Sequence, residues 1–145
     1  MTNTLKISMK PNEKIYINGA VIRVDRKVTV ELLNDVQFLL QNHVIQAEDA
    51  STPLKQLYFI VQVMLMNPSD AAQAREMFRR SLPLLLVSFD DAEICATLKQ
   101  VDRMVGEGEI YEALKAIRAL YPAERRALGG NDDVPGAQRP LAIGA

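Results

Sequence analysis

From residue 5 to residue 10 the chain alternates, with Leu5, Ile7 and Met9 on one side and Lys6, Ser8 and Lys10 on the other. Alternation of period two marks a half-buried strand. Pro11-Asn12 makes a turn, and a second alternating run, KIYI, follows it. Asn18-Gly19 then separates KIYI from AVIRV. That dipeptide is a strong hairpin signal, because both central positions of a type I′ turn need positive φ. A two-residue loop pairs Ile17 with Ala20, Tyr16 with Val21, Ile15 with Ile22 and Lys14 with Arg23. One face then carries Ile15, Ile17, Ala20, Ile22 and Val24. The other carries Lys14, Tyr16, Val21 and Arg23, and is expected to look outward. The next turn is sized by the same logic. A three-residue loop at 25–27 pairs Val24 with Val28 and Ile22 with Val30, which keeps the apolar face continuous. A two-residue loop would set Ile22 against Thr29 and turn the strand over. Asn34-Asp35 signals another turn. Residues 36–45 supply a further strand, with VQFLLQ readable as a helical turn instead.

After residue 50 the period changes. Thr52-Pro53 is an N-cap followed by Pro at the first helical position. The run PLKQLYFIVQVMLM (53–66) then ends at Asn67-Pro68. Its polar residues are so few that it reads as a central core helix under the sheet, with an interface helix as the alternative. Ser69 caps the next segment, which Pro83 should kink or split. Asp90 or Asp91 caps a third helix, with Ile94, Leu98, Val101 and Val105 as its apolar stripe. GEGE (106–109) ends it. A fourth helix follows with Ile110, Leu114, Ile117 and Tyr121 inward, and Pro122 ends the helices.

The fold class is therefore α+β: an N-terminal antiparallel β-meander (1–50) and a four-helix region (51–128) in the same compact domain. Residues 129–145 hold four of the seven glycines and two of the seven prolines, which predicts a flexible tail.

Charge changes this picture more than composition does. The net charge is −1, but residues 1–30 carry six bases against two acids, and the other 115 residues carry 11 bases against 16 acids. A basic front and an acidic remainder hint at an anionic partner. The plainer reading is that Lys-rich strands simply stay soluble. The single cysteine, Cys95, allows no internal disulfide and falls at an apolar helical position. The N-terminus has no uninterrupted apolar segment of the secretory kind, and no apolar run is long enough to span a bilayer. A cytoplasmic protein without membrane contact is the expectation.

No catalytic set emerges. His43 is the only histidine, which removes a multi-histidine metal site, and no phosphate-binding glycine motif or paired zinc-ligand spacing is found. Asp90-Asp91 and Asp132-Asp133 are explained by capping and solvation. The chain reads as a non-enzyme with no cofactor or metal. Its best candidate site is the outer face of the meander. Lys14 and Arg23 are directly opposed like charges, Tyr16 stands beside them, and Arg26 and Lys27 sit at the neighbouring loop tip. Phosphates could take that charge and a base could stack on Tyr16, as in single-stranded RNA recognition. A second candidate is an apolar partner-binding surface with Leu57, Phe59, Val63, Leu84 and Leu85. The same surface could also join copies of the chain in a homo-oligomer.

The run LKISMKPNEKIYINGAVIRVDRKVTVELLNDVQFLLQNHVI, followed by EDASTPLKQLYFIVQVMLMNP, resembles the FlbT family of flagellum biosynthesis regulators. MFRRSLPLLLVSF and ALKAIRALYP fit as well, so the likeness spans about residues 4–122, and NGAVIRVDRKV is its most specific part. Asn12 stands where a glycine is expected after Pro11; both residues tolerate a left-handed turn. The resemblance implies post-transcriptional control of flagellin. Such proteins are described as acting at the 5′ untranslated leader of flagellin mRNA and promoting its degradation, in opposition to a partner called FlaF. It implies as partners that leader and, through the apolar surface, flagellin or a FlaF-like protein. No motif of the family assigns RNA contacts to particular residues.

Overall fold

The computed structural model describes residues 4–34 and 36–129. Five strands come first: β1 (Leu5–Met9), β2 (Lys14–Ile17), β3 (Ala20–Arg23), β4 (Val28–Leu32) and β5 (Phe38–Leu40). Five helices follow: α1 (Pro53–Met66), α2 (Ala71–Ser88), α3 (Ala92–Gly106), α4 (Ile110–Ala119) and α5 (Tyr121–Ala127). The α+β reading holds. Asp35 of the predicted Asn34-Asp35 turn, the Asp132-Asp133 pair and nearly all of the predicted tail lie outside the described residues.

The β2–β3 hairpin has the expected register, Lys14 opposite Arg23 through to Ile17 opposite Ala20. Asn18 (φ 48°) and Gly19 (φ 85°) occupy the left-handed region that the turn demands. Asn12 is also left-handed (φ 68°). Its N–H donates to the Val24 carbonyl (2.7 Å), while Val24 N–H donates to the Glu13 carbonyl (3.2 Å). Two residues thus oppose one, a G1-type bulge in which asparagine takes the usual glycine position.

The meander connectivity is corrected. β4 does not continue from β3; it pairs antiparallel with β1, from Leu5 opposite Leu32 to Met9 opposite Val28. β3, β2 and β5 form a separate three-stranded sheet in that order. The reason is burial. Ile7, Met9, Ile15 and Phe38 form a small core, with Ile17, Val24, Val28, Val30, Leu32 and Leu40 packed around it. This core fills the space between the two sheets. The alternate residues Tyr16 and Leu39 pack instead against the helices. The central sheet is therefore the middle of three layers, and β2 is covered on both faces.

Thr52 caps α1, its Oγ1 accepting from Lys55 N–H (3.2 Å), and Leu54, Leu57, Tyr58, Val61 and Leu65 are buried, so α1 is a core helix. α3 is capped by Asp91, whose carboxylate accepts from Ile94 N–H (3.0 Å), and it buries the predicted stripe Ile94, Leu98, Val101 and Val105. Three helical details differ from expectation. Ser69 falls in a short 3-10 turn (68–70), and α2 begins after it. Pro83 does not split α2, which runs on to Ser88; Pro83 is exposed, on the side where water can take the freed carbonyl. Pro122 starts α5 instead of ending the helices, because proline suits the first turn.

Candidate nucleic-acid interface at one end of the strand layers

Three local pairings converge at one end of the β layers: Met9 against Val28, Asn12 against Val24, and Lys14 against Arg23. They bring the 10–13 turn and the 24–27 crossover side by side. Lys10, Lys14, Arg23, Arg26 and Lys27 therefore share one end of the strand layers, and the carboxylates beside them among the described residues are Glu13 and Asp25. Both carboxylates are already engaged. Glu13 Oε1 accepts from the Lys10 backbone N–H (2.9 Å), and Asp25 pairs with Arg26 (3.1 Å). Among the described residues the side chains of Lys10, Lys14, Arg23 and Lys27 have no ion-pair partner. The end is fixed rather than loose. Lys14 N–H donates to Gln41 Oε1 (2.8 Å), and the bulge at Asn12 pins the neighbouring turn.

The structure brings four of the five residues of the predicted basic site together and separates the fifth. Arg23, Arg26 and Lys27 are exposed, and Lys14 is half-buried. Tyr16 is half-buried against the helical core, so its ring is not an outward platform. Its predicted facing is corrected: a strand in a middle layer has no solvent face. Lys6 and Lys10 are expected to extend the patch if β1 pairs with β2; β1 pairs with β4 instead, and the Met9–Val28 and Asn12–Val24 contacts bring Lys10 to the cluster.

The apolar candidates also divide. Leu57 and Leu85 are core residues whose edges, with Leu84, line a groove of about 240 Å³ between α1 and α2. Phe59 and Val63 are half-buried, and Leu84 is 66% exposed. Phe59, Ile60 and Val63 of α1 and Ala74 and Met77 of α2 line a groove of about 280 Å³.

A buried polar site lies at the start of α1. Glu124 on α5 is 2% exposed; its carboxylate accepts from Thr52 Oγ1 (2.6 Å) and from Leu54 N–H (2.7 Å). Burial pushes its pKa above the ordinary value, against the pull of those two hydrogen bonds and of Lys55. Nearby, Arg118 donates to the Tyr58 hydroxyl (3.0 Å), which donates to the His43 carbonyl. Burial, aided by Arg118, holds His43 below its ordinary pKa. Among the described residues no three His, Cys, Asp or Glu side chains are grouped to hold a metal ion, and no helix is long and apolar enough to cross a membrane.

Comparison with known proteins gives the chain its relatives. It is 83% identical over 145 residues to a probable flagellum biosynthesis repressor protein FlbT of Mesorhizobium japonicum, covering 100% of this chain and 99% of that one. It is 59% identical over 143 residues to the protein of that name from Chelativorans sp., covering 99% and 95%. The one from Allorhizobium ampelinum is 56% identical over 135 residues, covering 93% and 91%. No solved structure matches. The model of the flagellar protein FlbT family matches residues 5–128, and the chain belongs to that family.

Proposed function

We propose that this protein represses flagellum synthesis after transcription, by binding the 5′ leader of flagellin mRNA and promoting its degradation. The relatives' shared name, flagellum biosynthesis repressor, supports the coarse role. The observation that carries the RNA reading is the cationic end of the strand layers, where four bases stand without carboxylate partners among the described residues. With Tyr16 turned to the core, the contact is one of phosphates with cations and not of stacked bases. The protein marks the message, and a separate nuclease cuts it.

Titration of the purified protein with the flagellin leader at two salt concentrations tests this. Affinity should fall steeply with salt, by about 0.7 log unit per log salt for each phosphate neutralised on a single strand. Arg23→Ala with Lys27→Ala should flatten that slope at unchanged melting temperature. An unchanged slope and affinity would rule the site out.

A second reading rests on the α1–α2 groove and exposed Leu84: an adapter that holds flagellin or a FlaF-like protein without touching RNA. Burial of that surface would give a negative heat-capacity change on mixing with flagellin. No calorimetric signal at micromolar concentration would remove this reading.

A further inference from the structure

β3 differs from the other edges of the strand layers. All four of its residues are exposed, with Val21 at 62% and Ile22 at 44%. At the opposite margin of the same sheet, Phe38 and Leu39 of β5 are buried. Among the described residues β3 pairs on one side only, with β2. The free side can be read from the hydrogen bonds. Val24 directs both its N–H and its carbonyl toward the β2 side, to Glu13 and Asn12. In an antiparallel ladder the groups of successive residues point to opposite sides. Ile22 and Ala20 therefore bond to β2, while the N–H and carbonyl groups of Val21 and Arg23 face outward.

An edge of this kind is a template for another strand. Natural edges are blunted by bulges, charges or short length; here the bulge belongs to the 12–13 segment and not to β3, whose charge is the single Arg23. The charges select the occupant. Arg23 projects from the edge strand, Lys14 is its cross-strand neighbour, and Lys27 lies just beyond, all without carboxylate partners among the described residues. A second copy of β3 would double those cations around one junction. An incoming strand with carboxylates would offset them.

We propose that the free edge of β3 takes up an extended acidic segment of a partner polypeptide as an added strand. Val21 and Arg23 supply the main-chain hydrogen bonds, Arg23 pairs with a carboxylate of the newcomer, and Ile22 meets an aliphatic side chain. This surface is distinct from the α1–α2 groove; it shares Lys14, Arg23 and Lys27 with the proposed RNA contact, so peptide and RNA would compete for it, but it stands if the RNA reading fails.

The test is selection from a displayed library of random heptapeptides on the immobilised full chain, followed by anisotropy titration of the enriched peptide. Enriched sequences should set an acidic residue beside an aliphatic one. Val21→Pro removes an outward N–H without touching the β2 ladder, and should weaken the peptide about tenfold, the worth of one lost main-chain hydrogen bond. Val21→Thr keeps the donor and should bind as the parent does. Arg23→Glu should turn the selection toward basic peptides. In the unaltered protein, bound peptide should slow amide exchange at Val21 and Arg23, which tests the idea even if the proline variant fails to fold. Enrichment of neutral or basic peptides would overturn the proposal. So would protection of those two amides by raised protein concentration alone, which assigns the edge to a second copy, or by oligouridine in the absence of peptide, which assigns it to RNA.

Discussion

β3 and α3 both read as apolar stretches, and they end in opposite environments. α3 buries Ile94, Leu98, Val101 and Val105 in one stripe, whereas β3 leaves Ala20, Val21, Ile22 and Arg23 all exposed. A helix shows its whole apolar stripe to one neighbour, so one contact hides it. A strand divides its side chains between two faces, and needs a layer on each side. β2, one strand further in, has both layers; β3 lies at the margin. The helices thus hold the fold together, while the strand margin remains available for contacts with other molecules.

The sharpest way to test that contrast is to truncate one residue in each region. Leu114, with no exposed surface on α4, should cost about 2–5 kcal/mol on substitution by alanine, read by urea denaturation. Ile22→Ala should cost under about 1 kcal/mol. Equal losses would mean that β3 is as much a part of the core as α4. Next in size is the tie between α5 and α1. Glu124→Ala leaves Leu54 N–H and Thr52 Oγ1 without their acceptor and should cost about 1–3 kcal/mol. The same residue carries a pH signature. Its folded pKa is raised, so its contribution to stability is full below the ordinary carboxylate pKa and is lost as pH rises through the raised value. Melting temperatures from pH 4 to 8 should show Glu124→Gln flattening that loss relative to the parent. An effect at the low end of these losses belongs to the hairpin tip. Gly19 has φ 85°, and an added Cβ would stand 3.3 Å from Pro68 Cδ, so Gly19→Ala should cost about 1 kcal/mol.

What the sequence revealed depended on the range of the interaction. The β2–β3 register was legible because a two-residue turn fixes it locally through Asn18-Gly19. The α3 stripe and the caps at Thr52 and Asp91 were legible because each is a rule over three or four residues. The pairing of β4 with β1 was not, since alternation in residues 28–32 fits either partner and only the filled space around Met9 decides. Tyr16 was placed outward because a strand was granted one buried face; the middle layer has two. Arg23, Arg26 and Lys27 stood close in sequence and remained close in space, but Lys10 joins them through longer-range pairings, Met9 with Val28 and Asn12 with Val24. Glu124 gave no signal at all, as nothing near residue 124 announces a partner at residues 52–54.

That last bond also orders events in time. Leu54 N–H and the carboxylate that receives it are 70 residues apart. A ribosome adding 5–20 residues per second needs roughly 4–14 seconds to cover that interval. Throughout it, the first helix of the core waits with its leading end incompletely capped. A chain cut short before α5 lacks that carboxylate, and Leu54 N–H is left without its acceptor.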